Sequence, residues 1–361
     1  MNLALDLAHA ARFSATPNPS VGCVLVKDDR LIGEGAHVYA NVDHAEIVAL
    51  KDAKQKGHDT KGATAYVTLE PCAHQGRTGP CAAALRDAGI ATLIYATADP
   101  SDQAAGGAAQ LADAGVEVIR GVGETRARWI HRGFLKRVSS GKPWVRAKMA
   151  CSLDGRTALP NGESQWISNV VSRTDVQFQR AEACAVLAGV GTVLADDPSL
   201  NVRLSDIELG VDTVRQPLRV ITDAKGLLTG SEKLFSLEGN VRIYTRLADY
   251  PLKRPNLSIA TQSPGPGQGR QLDLGYVLDD LGTHGINFVH LEAGAKLAGG
   301  FLQSGLVDEL VVYLAPKLMG HRAFPAFEIG SPNAMADLSR WSLHDCTQFG
   351  DDLKLTYLAA D

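Results

Sequence analysis

Four side chains in the first quarter of the sequence could do metal-assisted hydrolysis. His44-Ala45-Glu46 is followed by Pro71-Cys72 and, nine positions on, by Cys81, so an imidazole, two thiolates and a carboxylate are on offer together. That mixture of nitrogen and sulfur donors suits zinc. Three protein ligands leave a fourth tetrahedral position for water, whose pKa falls toward about 7 on the metal, and such an open site is catalytic rather than structural. Glu46 stands too close to His44 along the chain to be a sensible second ligand beside it. Its expected role is general acid/base, carrying a proton to a leaving amine. His74, between the two cysteines, and His58 compete with His44 as the nitrogen ligand, whereas Cys23, Cys151, Cys184 and Cys346 sit mainly in apolar or strand-like runs and are expected to pack as small hydrophobes.

The elements that must position this set are legible from periodicity. Val21 to Val26, Ala65 to Leu69 and Leu93 to Ala96 read as strands, and Asp43 to Lys56, Cys81 to Asp87 and a run near Gln110 as helices. Alternation of the two implies a layered α/β domain. Asp43 is a candidate N-cap for the helix that opens at His44, and Cys81 opens another helix after Pro80, so both helix N-termini favour a thiolate. Gly123 to Arg137 reads as a basic amphipathic helix, and Ser139-Ser140-Gly141-Lys142-Pro143 then breaks the pattern, which places a domain boundary there: residues 1–142 and 143–361. Beyond it Trp144 to Met149, Ala185 to Gly189, Leu218 to Thr222 and Val241 to Thr245 read as strands around a helical Ser172 to Glu182, so the second half is also α/β. Ser263 to Gly269 is a loop by composition.

The whole chain narrows the partners. With 361 residues, 45% of them hydrophobic and 21% charged, there is enough apolar material for two cores. A net charge of −4 gives no basic excess for a nucleic-acid backbone. No stretch approaches the ~20 apolar residues that span a bilayer, the first residues lack a secretory pattern, and six cysteines are too few for a disulfide scaffold, so a cytoplasmic protein is expected.

A His-x-Glu followed by Pro-Cys-x-x-Cys is the signature of zinc deaminases, and eight residues between the cysteines mark a subfamily. With these motifs the chain resembles the bifunctional riboflavin-biosynthesis deaminase/reductase family over nearly its whole length. The resemblance implies a cytidine-deaminase-like three-layer α/β/α domain and a dihydrofolate-reductase-like α/β domain. It also implies one zinc, and NADPH as the second cofactor. The first domain would hydrolyse an amino group from a diaminopyrimidinone carrying a ribosylamino 5-phosphate, and the second would reduce the ribosyl group to ribityl. Asn18 and His37 would contact the substrate, with Arg77 and Thr78 suited to its phosphate. The chain departs from the family pattern at Gly79, Asn41 and His131, none of them a proposed zinc ligand.

The second half carries no Gly-x-Gly-x-x-Gly between a strand and a helix. Its segment Glu292 to Gly300 follows a strand-like Asn287 to Leu291, and glycines there could let backbone amides approach a phosphate. Lys148 to Ala158, Gly162 to Ser168 and Ala195 to Arg203 match the family's reductase motifs in order. By resemblance Ala150, Trp166, Thr192, Asp196, Gly294, Ala295, Lys296, Leu297, Ala298, Gly299 and Gly300 line the NADPH site, and Ser164, Arg180, Leu200, Arg203 and Glu292 meet the substrate, with Arg180 and Arg203 suited to its phosphate. Lys148 is the residue expected to assist opening of the ribosyl ring, with Asp196 orienting its ammonium. Small-molecule pyrimidine phosphates are the expected partners, without nucleic acid or membrane, and the family resemblance suggests a homo-oligomer. The rivals are a nucleobase or tRNA deaminase, a zinc-stabilised binding protein without activity, and a chain with only one active half.

Overall fold

Period-two apolar runs build two separate sheets. The computed structural model describes residues 1–74, 79–101, 105–263 and 271–360, and the chain divides into one unit of Met1–Gly141 with Asp206–Val214 and another of Lys142–Ser205 with Arg215–Asp361.

In the first unit α1 (Asn2–Ala10) precedes the hairpin of β1 (Gly22–Lys27) and β2 (Arg30–Ala36), then α2 (Ala45–Gln55), β3 (Thr64–Leu69), α3 (Cys81–Asp87), β4 (Thr92–Thr97), α4 (Gly107–Asp113), β5 (Glu117–Arg120) and α5 (Glu124–Ser140). The sheet order is β2-β1-β3-β4-β5, with β1 antiparallel to both neighbours and β3, β4 and β5 mutually parallel. Asp28 and Asp29, both at positive φ, make the two-residue hairpin turn that matches strand twist. Leu5 of α1 and Ala127 of α5 pack with Ala96 on one face, and Ala49, Leu85 and Leu111 from α2, α3 and α4 cover Val67 and Leu93 on the other. Three layers result.

Two glycines fix how closely α2 rides on the sheet. A Cβ on Gly35 would lie 2.6 Å from the Ala49 nitrogen and 2.7 Å from the Ala45 carbonyl oxygen, and one on Gly33 2.4 Å from the Ala49 carbonyl oxygen. With Ala45, Ala49 and Ala53 fully buried opposite them, backbone meets backbone along this seam. The helix begins one residue later than an Asp43 cap predicts: His44 is the N-cap and no side chain bonds the free amides. Helix α5 runs three residues past the expected Arg137 and stops where Gly141 takes φ 77°.

The second unit holds β6 (Trp144–Ser152), β7 (Arg156–Ala158), α6 (Val170–Glu182), β8 (Ala185–Gly189), α7 (Val190–Asp196), α8 (Asp206–Leu209, in the segment counted with the first unit), β9 (Leu218–Thr222), β10 (Val241–Thr245), β11 (Leu257–Thr261), α9 (Leu274–Thr283), β12 (Phe288–Leu291), α10 (Ala295–Gln303), β13 (Glu309–Ala315), β14 (Phe324–Pro325), β15 (Trp341–Phe349) and β16 (Asp352–Ala359). Its main sheet runs β11-β10-β9-β8-β12-β6-β13-β16-β15. The strands from β11 to β13 are parallel, and β16 and β15 add an antiparallel edge. Val289 and Leu291 of β12 join Val277, Leu281 and Phe301 of α9 and α10 in a dry core. The opposite face of β12 is where the polar residues lie.

Candidate functional site

In the first unit the donor set converges. The ligand atoms of His44, Cys72 and Cys81 all lie within 4.8 Å of one another, and this is the one such His/Cys/Asp/Glu group among the described residues. His44 Nδ1 is 3.6 Å from Cys72 Sγ and 3.3 Å from Cys81 Sγ. A tetrahedral zinc with ordinary bond lengths would hold such nitrogen and sulfur atoms about 3.5 Å apart, so the spacing fits the ion. His44 comes from the turn before α2, Cys72 from the start of the connection that follows β3, and Cys81 from the first residue of α3, whose N–H donates to Cys72 Sγ at 3.4 Å.

Gly107 locks the Cys72 arm, because a Cβ there would fall 1.9 Å from the Pro71 carbonyl oxygen. Glu70, one residue earlier, accepts backbone N–H bonds from Asp99, Gly106 and Ala108, tying the same stretch to the start of α4. Sequence reasoning did not single out Glu70 or Gly107; the Pro-Cys pair pointed only at the ligand itself.

The protonation states suit a proton carrier beside thiolates. Glu46 is 3% exposed, and burial pushes its carboxyl up to about 7, partly offset by its own backbone N–H and by His44. Hydrogen bonds from Cys81 and His44 pull the Cys72 thiol down, whereas the Cys72 partner and burial push Cys81 up. His44 is raised, chiefly by its bond to Cys72. His37 lies edge-on to His44 with ring centroids 5.6 Å apart. Its Nδ1 is 2.7 Å from the Asp43 carbonyl oxygen, so the proton sits on Nδ1, and Nε2 accepts from Asn18 Nδ2 at 3.0 Å. That orients the amide and leaves Asn18 Oδ1 without a partner among the described residues. Arg77 and Thr78 lie outside the described residues.

In the second unit the polar residues gather under α6. Arg180 faces Glu292 in a two-pronged ion pair, Nη2 to Oε2 at 2.8 Å and Nε to Oε1, and its Nη1 donates to the Asn201 carbonyl at 2.9 Å. Its guanidinium is therefore committed within the chain rather than held out for a phosphate. Arg203, by contrast, is exposed and its side chain bonds no described residue, while its backbone N–H donates to Gln177. Leu200 is buried at φ 51°, a costly conformation for a non-glycine residue, next to the Asn201 and Val202 anchors.

Lys148 on β6 is partly buried, and desolvation together with Arg180 lowers its pKa against the pull of Glu292. The carboxylate acting on it is Glu292. Asp196, expected to orient Lys148, is exposed at the last residue of α7 and carries no interaction with it. Glu292 itself is held well below the usual carboxylate range: its burial is outweighed chiefly by the charge of Arg180 and its hydrogen bonds, with Lys148 adding to them.

The glycine-rich segment is a helix start rather than a loop. Gly294 is the N-cap of α10, with no side-chain cap on the free amides that follow, and its N–H donates to Thr192 Oγ1 at 3.1 Å. This joins Thr192 to Gly294 at the start of the helix. Ala298 and Gly299 are buried, and a Cβ on Gly299 would meet the Glu328 carbonyl oxygen at 1.9 Å, so that glycine serves close packing. Gly300 lies in the same helix interior. Trp166 is 62% exposed, stacks under Arg173 at 4.5 Å and accepts a bond from Lys317 through its carbonyl; Ala150 packs near Tyr313, and Ser164 is half-buried.

Residues 1–97 match the cytidine and deoxycytidylate deaminase zinc-binding region, and residues 143–355 match the RibD C-terminal domain. The two matches define a bifunctional enzyme, a deaminase joined to a reductase. Riboflavin biosynthesis protein RibD of Haemophilus influenzae is 44% identical over 99% of this chain and 96% of its own length, and that of Escherichia coli 41% identical over 100% and 98%. The solved structure of Acinetobacter baumannii RibD superposes with a TM-score of 0.89 at 41% identity, covering 100% of this chain and 98% of that one. A Thermotoga maritima diaminohydroxyphosphoribosylaminopyrimidine deaminase/5-amino-6-(5-phosphoribosylamino)uracil reductase does so with a TM-score of 0.89 at 32% identity, covering 100% and 97%. The chain belongs to the RibD family of riboflavin biosynthesis. The expected pairing of a cytidine-deaminase-like domain with a reductase domain holds, and among the described residues no helix is long and apolar enough to cross a membrane.

Proposed function

We propose that residues 1–142 hydrolytically deaminate 2,5-diamino-6-(5-phosphoribosylamino)pyrimidin-4(3H)-one and that residues 143–361 reduce the ribosyl group of the product to ribityl with NADPH. The observation that carries this reading is the convergence of His44, Cys72 and Cys81 with the buried carboxyl of Glu46. The activities by which the Thermotoga maritima relative is known support it. The same reading makes the protein a cytoplasmic homo-oligomer acting on small molecules.

His44, Cys72 and Cys81 would hold one zinc ion, which supplies Lewis acidity and a water made acidic at neutral pH. Glu46, whose carboxyl pKa lies near 7, takes a proton from the attacking water and passes it to the ring nitrogen, then takes the proton of the newly added hydroxyl and gives it to the amino group that leaves as ammonia. His37 fixes Asn18 so that Oδ1 accepts from the pyrimidine edge.

In the second half the uncapped start of α10, with Gly294 and Thr192 joined, fits a phosphate of the dinucleotide. NADPH supplies the hydride when bound. Trp166, exposed beside Arg173, forms a wall of that site, with Ala150 and Asp196 at its margin. Lys148, whose ammonium loses its proton more readily than usual, protonates the ribosyl ring oxygen as the ring opens. Glu292 holds the pyrimidine, Ser164 and Leu200 flank the ribosyl phosphate, and Arg203 is the free cation for it.

The test supplies the diaminopyrimidinone ribosylamino phosphate and NADPH to zinc-loaded protein and to Glu46→Ala, with ammonia release and NADPH oxidation followed in one tube. Wild type gives ammonia first and then oxidation. Glu46→Ala gives neither, yet oxidises NADPH when handed the deaminated compound. Ammonia without oxidation removes the reductase reading, and neither signal from wild type removes the substrate assignment.

A further inference from the structure

One residue under α6 has no part in either reaction as derived above. His290 on β12 is fully buried two positions before Glu292, with Nε2 3.5 Å from Glu292 Oε1, and neither ring nitrogen has a hydrogen-bond partner among the described residues. Its cross-strand neighbours are Arg146 on β6 and the apolar Val186 on β8. The charged groups around it are Arg146 and Lys148 from β6, Arg180 from α6, and Glu292 beyond the end of its own strand. Glu182 of α6 and Glu309 of β13 are engaged by Arg146, at 2.5 and 2.9 Å. A further positive charge among three cations in a dry site is unfavourable, and burial with those cations drives the imidazole pKa down to about 3. A neutral imidazole has one N–H to give, and the acceptor within reach is Glu292 Oε1, the oxygen that Arg180 Nε also grips.

We infer that His290 is a positioning residue of the reductase half, a permanently neutral imidazole with its proton on Nε2 that backs the Glu292 carboxylate from beneath and fixes the edge offered to the pyrimidine. Glu292 keeps Arg180 as its ion-pair partner, and His290 steadies it without adding charge. This rests on the assignment of Glu292 to the substrate.

The experiment uses the full chain and its variants His290→Leu and His290→Gln, given NADPH and the deaminated ribosylaminouracil phosphate. Ammonia release from the aminated substrate reports folding of the first unit, and the urea midpoint of the second unit reports folding around His290 in the same preparations. In His290→Leu the KM for the pyrimidine is expected to rise about tenfold with kcat changed less than about threefold and the KM for NADPH unmoved, while His290→Gln, which retains an N–H donor, recovers most of the loss. Nitrogen-15 NMR of labelled histidine is expected to show His290 neutral and protonated on Nε2 from about pH 5 to about pH 8, with a signal that moves in Glu292→Gln. An unchanged pyrimidine KM in His290→Leu overturns the inference, as does a His290 signal that titrates in that range. If wild type reduces nothing, the reductase reading fails on its own, and a His290 signal indifferent to Glu292→Gln still overturns the positioning role.

Discussion

The candidate metal-ligand cluster of the first unit and the charged cluster beneath α6 in the second are both largely buried, yet they are assembled by opposite means. The first brings together groups that can shed charge: a carboxyl raised to about 7 and two thiols shifted in opposite directions, with His44, Glu46 and Cys81 carried at two helix starts and pressed inward by glycine-to-backbone contacts. The second keeps two arginines charged in the dark by pairing each: Arg180 with Glu292, and Arg146 with Glu182 and Glu309. A centre of the first kind is ready to exchange protons and to accept a cation. One of the second kind is rigid and costly to disturb, because removing either partner strands the other.

The sharpest way to break this contrast is Glu46→Gln, expected to lower deamination about 10³-fold while zinc content, read by elemental analysis, and reduction of the deaminated substrate stay at wild-type levels. Equal loss in both half-reactions would mean that the two centres do not work separately. Glu292→Gln strands a buried guanidinium whose side chain is 8% exposed, and is expected to cost about 3 to 5 kcal/mol in urea unfolding of the second unit. A cost under about 1 kcal/mol would show that water reaches the pair. Gly107→Ala forces Pro71 and hence Cys72 to shift, and zinc affinity measured against a competing chelator should drop by about tenfold to a hundredfold.

The smallest expected effect concerns pH. His131 on α5 is 2% exposed, bonded to Thr68 at 3.2 Å, and held by burial down to about 4. Because the folded value is depressed, its contribution is complete above the unfolded pKa of about 6.5 and is lost as pH falls toward 4, roughly 2 kcal/mol between pH 7 and pH 5. Urea midpoints of the first unit should fall over that interval in wild type and flatten in His131→Asn. An unchanged slope would assign the acid sensitivity elsewhere.

The candidate metal ligands and Glu46 were legible because a short motif at one helix start confines two of the four groups to local geometry and the other two, Cys72 and Cys81, stand nine positions apart with Cys81 opening a second helix. The strands and helices around them were equally visible, since one buried face imposes a period. The polar cluster was less open to reading: Arg180 and Glu292 are far apart in sequence, so nothing local announces that one will spend its fork on the other. Reading the sequence paired Lys148 with Asp196, whereas the fold brings Glu292 to Lys148. The glycines after Glu292 pointed to a phosphate loop, but at Gly299 the missing side chain is what lets the Glu328 backbone approach. His290 offered no signal at all, being a lone histidine in an apolar strand.

The strand order of the large sheet has a consequence for synthesis on the ribosome. β6 lies between β12 and β13, so the first strand of this unit to emerge has no sheet partner until residues 288 and beyond are translated. At about 5 to 20 residues per second that delay is roughly 10 to 30 s. Through it Val145, Ala147 and Met149, all buried in the finished protein, stay open to solvent or to a chaperone, while the first unit, apart from a short later segment, has already left the exit tunnel with its own sheet complete.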